Sequence, residues 1–148
     1  MNKALLDTDT VSFLMQQRPS VVGRAEAYLA EHGVLVVSII TRYEILRGLR
    51  VKKATRKMEA FTHFCETSSI VPLTERTVSV AADIYADLTV RGLLIGDADI
   101  LIAATAMAHG LVVVTNNESH FRRIQGWAMA ALFEYAQAEE IRDASRVR

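Results

Sequence analysis

Asp7, Asp9, Glu44, Asp97 and Asp99, together with Asn116 and Asn117, are the side chains best suited to chemistry. They fall in four short segments, LLDTDT (5–10), TRYEILRG (41–48), GDADILIAA (96–104) and VVVTNNESHF (112–121). Each segment follows an apolar run or opens a helical one. In an open α/β sheet such chain positions converge at the carboxyl ends of the strands, where ligands bind. Carboxylates gathered there repel one another unless a cation sits among them. Oxygen ligands, few in number and completed by water, suit Mg2+ or Mn2+. A cation held this way lowers the pKa of a bound water and neutralises phosphate charge, so phosphodiester hydrolysis is the reaction it favours. The four histidines show no HExxH-like or paired spacing, which argues against zinc.

Each acid also has a structural explanation. Asp9 precedes a helical run and is placed to cap it. Asp7 closes an apolar strand with no helix of its own to cap, which favours a functional role. Thr41-Arg42-Tyr43-Glu44 matches a capping box, in which the Glu reaches back to the Thr backbone N–H. If the helix starts at Ser38 instead, Glu44 lies nearly two turns in and is free to bind something. Asp97 and Asp99 are separated by about 200° of helical rotation, so they cannot share a face. Asp97 follows Gly96 and fits a cap, or a second ligand. Asp99 sits in the first turn of an otherwise apolar helix, where an unpaired charge is costly. Asn117 offers a carbonyl oxygen without adding charge, although Asn after a strand often marks only a turn. His120 reads as a surface or packing residue.

The elements that must position these groups alternate. Short apolar strands are expected at residues 4–7, 34–37, 70–73 and 111–115. Helices are expected at 9–17, 21–32, 39–50, 53–67, 74–91 and 97–109, with a break at Pro19 and Ser20 and stops at Gly33, Gly92 and Gly110. In the 74–91 helix the apolar residues Val78, Ala81, Ala82, Tyr85 and Leu88 fall on roughly one face. The 97–109 helix is apolar on nearly all sides and therefore central. Alternation of this kind predicts an α/β fold in three layers, a central parallel sheet of four to five strands flanked by helices. The 127–148 tail, rich in Ala and Glu, reads as a helix belonging to the same domain as residues 1–126.

The bulk properties narrow the function classes. At 148 residues the chain suffices for one domain with a core that needs no disulfide. Its single cysteine, Cys65, reads as a buried or half-buried helix residue in a reducing compartment. No stretch reaches 18 apolar residues, and Met1-Asn2-Lys3 leads directly into the first strand rather than into a secretory signal. The expected location is the cytoplasm. A formal net charge of zero argues against a strong, unspecific nucleic-acid binder. Yet Arg42, Arg47, Arg50, Lys52, Lys53, Arg56 and Lys57 lie close together with Glu44 as their one acidic neighbour. They form either a phosphate-contact surface or a solvated helical face.

Taken together, the four segments resemble the PIN-domain family, and within it the VapC-type toxins of bacterial toxin–antitoxin pairs. LLDTDTVSFL resembles the opening motif, with Asp7 at its first acid. SIITRYEILRG resembles the second, with Glu44 at its acid. GDADILIAATAMAHG resembles the third, with Asp99 at its Asp and Asp97 at a position that is often acidic. VVVTNNESHFRRI resembles the last, with Asn117 where many members carry Asp. The likeness runs from about Ala4 to Gly126. It implies a Mg2+-dependent (or Mn2+-dependent) endoribonuclease of structured RNA, often transfer RNA. It also implies a homodimer inhibited by a cognate VapB-type antitoxin, in a heterotetramer or larger assembly. On this reading Asp7, Glu44 and Asp99 hold the metal, with Asp97 a further candidate. Thr115 orients Asp7, and Asn117 orients the attacking water. Arg42, Arg47, Lys52 and Lys53 contact the RNA backbone.

Two rivals remain at this stage. Asp7-Thr8-Asp9-Thr10-Val11 also resembles the nucleophile motif of haloacid-dehalogenase-type phosphatases, with Asp7 attacking phosphorus, Asp9 as acid–base and Ser38 as the hydroxyl. That motif set lacks its lysine here and leaves Glu44 unexplained. A non-catalytic interaction module that kept the fold is the other rival, supported by Asn117 alone.

Overall fold

The computed structural model describes residues 2–125. Its elements are β1 (Ala4–Leu6), α1 (Thr8–Met15), α2 (Pro19–His32), β2 (Val36–Ser38), α3 (Ile39–Val51), α4 (Thr55–Glu66), β3 (Ser69–Val71), α5 (Glu75–Val90), α6 (Asp97–Ala108), β4 (Val112–Val114) and α7 (Glu118–Phe121). The helix expected over 127–148 lies outside the described residues. The four strands are all parallel, in the order β3-β2-β1-β4. β1 is central: its Leu5 stands opposite Val36 on one side and Val113 on the other.

Side chains alternate along each strand, which builds three layers. Leu5, Val36, Val71 and Val113 face α5 and α6, where Ile84, Leu88, Ile102 and Ala103 complete the larger core. Ala4, Leu6, Val37 and Ile70 face the opposite side, against Tyr28, Val11 and Phe61 from α2, α1 and α4. Strands covered on both faces read as unbroken apolar runs, as these do. α6 is the expected central helix, with Ile100, Ile102, Ala103, Ala104, Thr105 and Ala106 all buried.

Three local features depart from the pattern in the sequence. The turn after α1 is made at Gln17, whose φ is 57°, and Pro19 is the first helical residue of α2 rather than part of a break. Proline suits that position because its missing N–H would have had no helical partner. The buried face of α5 is Thr77, Ala81, Ile84 and Leu88, whereas Val78 and Tyr85 are 53% and 47% exposed. Thr77 can enter the core because its Oγ1 lies 3.0 Å from that of the cap residue Thr74, so a polar residue occupies an apolar position. Lastly, residues 118–121, where no element is expected, form α7, anchored by the buried Phe121. The expected stops hold: Gly33 closes α2 at φ 78° and Gly110 follows α6 at φ 64°, a region that costs glycine nothing.

Strand order decides where the chemistry gathers. The chain moves from β1 outward to β2 and β3, then returns to place β4 on the other side of β1. The order reverses between β1 and β4, and a crevice opens at the carboxyl ends of strands flanking such a point.

Candidate metal centre

Asp7 follows β1 directly, and its backbone N–H donates to the Val114 carbonyl at 2.9 Å, continuing the ladder one step beyond the strand. Its carbonyl accepts the first helical bond of α1 from Val11 N at 3.0 Å. Asp7 is therefore the N-cap, a correction to the placement of Asp9 there; Asp9 lies in the first turn. Strand and helix abut without a linker, so one residue ends the first and caps the second. The Asp7 carboxylate is only 3% exposed. Oδ1 accepts from Thr8 N at 2.6 Å, and Oδ2 accepts from Thr115 Oγ1 at 2.6 Å. Thr115 Oγ1 in turn accepts from Asn117 N at 2.9 Å, which commits its own hydrogen to Asp7. Burial pushes the Asp7 carboxyl up to about 7, with the negative charges of Asp9 and Asp99 adding to the rise. The Thr115 hydroxyl and the Thr8 N–H pull the other way.

Glu44 is carried by α3, whose N-cap is Ser38: Thr41 N donates to Ser38 Oγ at 3.1 Å. The capping box from Thr41 is thereby excluded, and Glu44 is free of any cap duty. Glu44 Oε1 accepts from Thr8 Oγ1 at 2.7 Å. Thr8 Oγ1 also lies 3.1 Å from Thr41 Oγ1, which lies 3.5 Å from Ser38 Oγ. A carboxylate can only accept, so the hydroxyl hydrogens run one way, from Ser38 to Thr41 to Thr8 to Glu44. On its outer side Glu44 Oε2 is 3.6 Å from Arg47 Nη2, and the Arg47 guanidinium sits 5.0 Å over the Tyr43 ring.

Asp99 projects from the first turn of α6. The N-cap of that helix is Gly96, not Asp97, which is the first helical residue and is exposed. Asp99 Oδ2 lies 2.7 Å from His120 Nδ1 and 3.4 Å from Asn117 Nδ2. Asn117 Nδ2 is itself 2.8 Å from His120 Nδ1.

These groups line one open cleft of about 320 Å³. Asp7, Asp9, Glu44 and Asp99 are in its wall, with Thr8, Ser12, Phe13 and Asn117. Among the described residues, four carboxylates and no lysine or arginine are in that lining, and Arg47 reaches Glu44 from beside it. Asp97 is not part of the lining. Arg42 belongs to a different groove of about 350 Å³ between α3, α4 and β3, beside Phe61, Cys65 and Ile70. Cys65 is half-buried on α4, and burial pushes its thiol pKa up, which disfavours the thiolate. Lys52 and Lys53 are exposed in the turn after α3.

The donor set fits a hard divalent cation: all oxygen, excess negative charge, and one carboxylate whose ionisation burial opposes. Among the described residues no three His, Cys, Asp or Glu side chains are gathered as tightly as direct ligation of one ion needs. A divalent cation held here would keep water in part of its coordination shell.

Two members of the site were not legible as such. Thr8 reads only as the residue between two acids, and its hydroxyl is aimed by helix geometry at Glu44, 36 positions away. His120 reads as surface. The signal was its spacing from Asn117: one helical turn puts both on the same side of α7, facing α6.

With the site assembled, its relatives can be stated. The sequence profile of the PIN domain matches residues 4–126, and the chain belongs to that family. It is 31% identical to "Ribonuclease VapC1" of Methanocaldococcus jannaschii over 128 residues, 86% of this chain and 85% of that one. It is 30% identical to the "tRNA(fMet)-specific endonuclease VapC" of Salmonella typhimurium, covering 85% of this chain and 95% of that protein. Among solved structures, the DNA-bound VapBC of Salmonella typhimurium superposes with a TM-score of 0.76 at 29% identity, over 85% of this chain and 95% of the matched one. The phosphatase rival falls with this result and on geometry: Ser38 is fully buried and spent on capping α3, and no lysine among the described residues lines the cleft.

Proposed function

We propose that this chain is a divalent-metal-dependent endoribonuclease of the VapC type, a toxin held in check by a VapB-type antitoxin. The observation that carries the reading is the cleft itself, where Asp7, Glu44 and Asp99 converge from three chain regions with no basic side chain among the described residues of the lining. The relatives named as ribonucleases, and the VapBC complex of like fold, support the activity and the partner.

Asp7, Glu44 and Asp99 would hold Mg2+ or Mn2+, directly or through water. A cation bound there supplies an activated water and neutralises phosphate charge. Thr115 keeps the buried Asp7 carboxylate ionisable and fixed in direction. Thr8 fixes the direction of Glu44. Asn117 faces Asp99 across the cleft and is placed to orient water. Asp97, exposed and outside the cleft, is left out of the ligand set. Arg47 at the rim, with Lys52 and Lys53 beyond it, would take backbone phosphates; Arg42, in the other groove, is left out of that role. A homodimer is the expected assembly of the free toxin. Antitoxin would cover the cleft, where an arginine could answer the acids.

The test is induction of the wild-type chain and of Asp7→Asn in cells that lack an antitoxin, with sequencing of RNA ends after brief induction. Growth arrest and new, discrete RNA ends with the wild type alone support the reading. Equal growth and unchanged ends would overturn it. Asp9→Asn separates the chemistries: a phosphatase using Asp9 as acid–base loses turnover, whereas RNA cleavage here largely persists.

A further inference from the structure

Each carboxylate proposed to hold the cation has its own side-chain partner: Thr115 for Asp7, Thr8 for Glu44, and for Asp99 the ring of His120. We infer that His120 is the positioning residue for Asp99, holding Oδ2 through Nδ1 so that the carboxylate keeps one orientation toward the metal. The inference rests on the metal reading given above.

The geometry sets the tautomer. At 2.7 Å two lone pairs would repel, so Nδ1 carries a hydrogen and donates it to Asp99. The Asn117 amide nitrogen lies 2.8 Å from the same ring nitrogen and 3.4 Å from Asp99 Oδ2, so the three side chains form one cluster. The His120 and Asp99 side chains are 40% and 20% exposed, and a contact so open adds little to folding. Stability of α7 comes instead from the neighbouring Phe121, 1% exposed in the core. Hydrogen bonds to ligating carboxylates act on the metal: their loss commonly costs about 10–100-fold in affinity or activity.

The test is Mn2+ binding to the full chain by titration calorimetry, at about pH 8, for wild type, His120→Ala, His120→Gln and His120→Asn. Asparagine places an N–H close to the position of Nδ1, and glutamine places one further out, near Nε2. The expected result is Mn2+ affinity about tenfold or more weaker in His120→Ala and His120→Gln, with recovery in His120→Asn. RNA cleavage should follow in kcat while KM for RNA holds. Melting curves for all four proteins in chelator should coincide. Mn2+ binding by His120→Ala as tight as by the wild type, or no recovery in His120→Asn, overturns the assignment while leaving the metal site standing. No Mn2+ binding by the wild type overturns the metal reading, and this one with it.

Discussion

Asp7 and Thr115, 108 positions apart in the chain, meet at 2.6 Å across the point where the strand order reverses. One ends central strand β1 and the other follows β4, so the parallel pairing of Leu6 with Val114 brings them together. Thr115 is held from behind by Asn117 N, which leaves its hydrogen no other use. The contact ties the register of the sheet to the direction of the most buried acid in the cleft.

Thr115→Val keeps the shape and removes the donor. A buried acceptor left unpaired costs about 1–3 kcal/mol. The melting temperature of the metal-free protein should fall accordingly, and Mn2+ affinity should weaken about tenfold. Thr115→Ser should recover both. Wild-type melting and wild-type affinity in Thr115→Val would show that the bond does no more than fill space.

Asp7 also predicts a pH dependence. Burial raises its carboxyl to about 7, above the ordinary carboxylate value it has in the unfolded chain. The fold thus favours the protonated form, and its contribution to stability is full below about pH 4 and is lost as pH rises through about 7. In chelator, wild-type stability should drop between pH 5 and pH 8 relative to Asp7→Asn, which has no such proton to lose. Each pH unit across the interval is worth up to about 1.4 kcal/mol. Added Mn2+ should restore the wild type at pH 8 and leave Asp7→Asn unmoved. Parallel pH profiles for the two proteins would contradict this account of the cleft.

Thr8→Val interrupts the hydroxyl chain that begins at Ser38 and ends on Glu44. Glu44, half-buried and facing Arg47 on its other side, should swing toward that guanidinium. Cleavage should fall about tenfold or more in kcat. Because Arg47 draws Glu44 outward, Thr8→Val combined with Arg47→Ala should lose less than the sum of the two single variants.

Arg47, Lys52 and Lys53 should each matter through salt. Replacing one phosphate contact lowers the slope of log affinity against log salt by about 1, whatever the RNA sequence. Binding of a catalytically silenced Asp7→Asn protein to RNA, measured over a salt series with and without each Ala substitution, gives that slope. An unchanged slope for all three would remove the α3 end from the RNA surface.

Much of this was readable in the chain because parallel strands and capped helices leave local marks. Asp7 stood at the end of an apolar run, Gly33 and Gly110 marked helix ends, and the 97–109 segment, apolar on nearly all sides, announced a central helix. Glu44 could not be decided locally, since Thr41 and Ser38 offered rival starts; only the register of β2, which ends at Ser38 itself, settles it. Asp9 and Asp97 looked like caps because caps prefer such residues, yet the direct junction of β1 with α1 puts the first cap at Asp7, and α6 starts one residue early, with Gly96 as its cap. His120 and Thr8 act on partners 21 and 36 positions away, and no local pattern carries such a contact. The α5 face was misread because Thr77 is hydrogen-bonded into the core while Val78 and Tyr85 are left outside.

The central claim is that the acids of one cleft cut RNA with a bound divalent ion. The direct measurement is cleavage of purified transfer RNA by the purified chain, free of antitoxin, with Mg2+ or Mn2+ and with chelator, beside Asp7→Asn and Asp99→Asn. The account predicts discrete fragments from the wild type only when the ion is present, and a loss of at least about a hundredfold in each variant. Cleavage that survives chelator, or that persists in both variants at the wild-type rate, would contradict it.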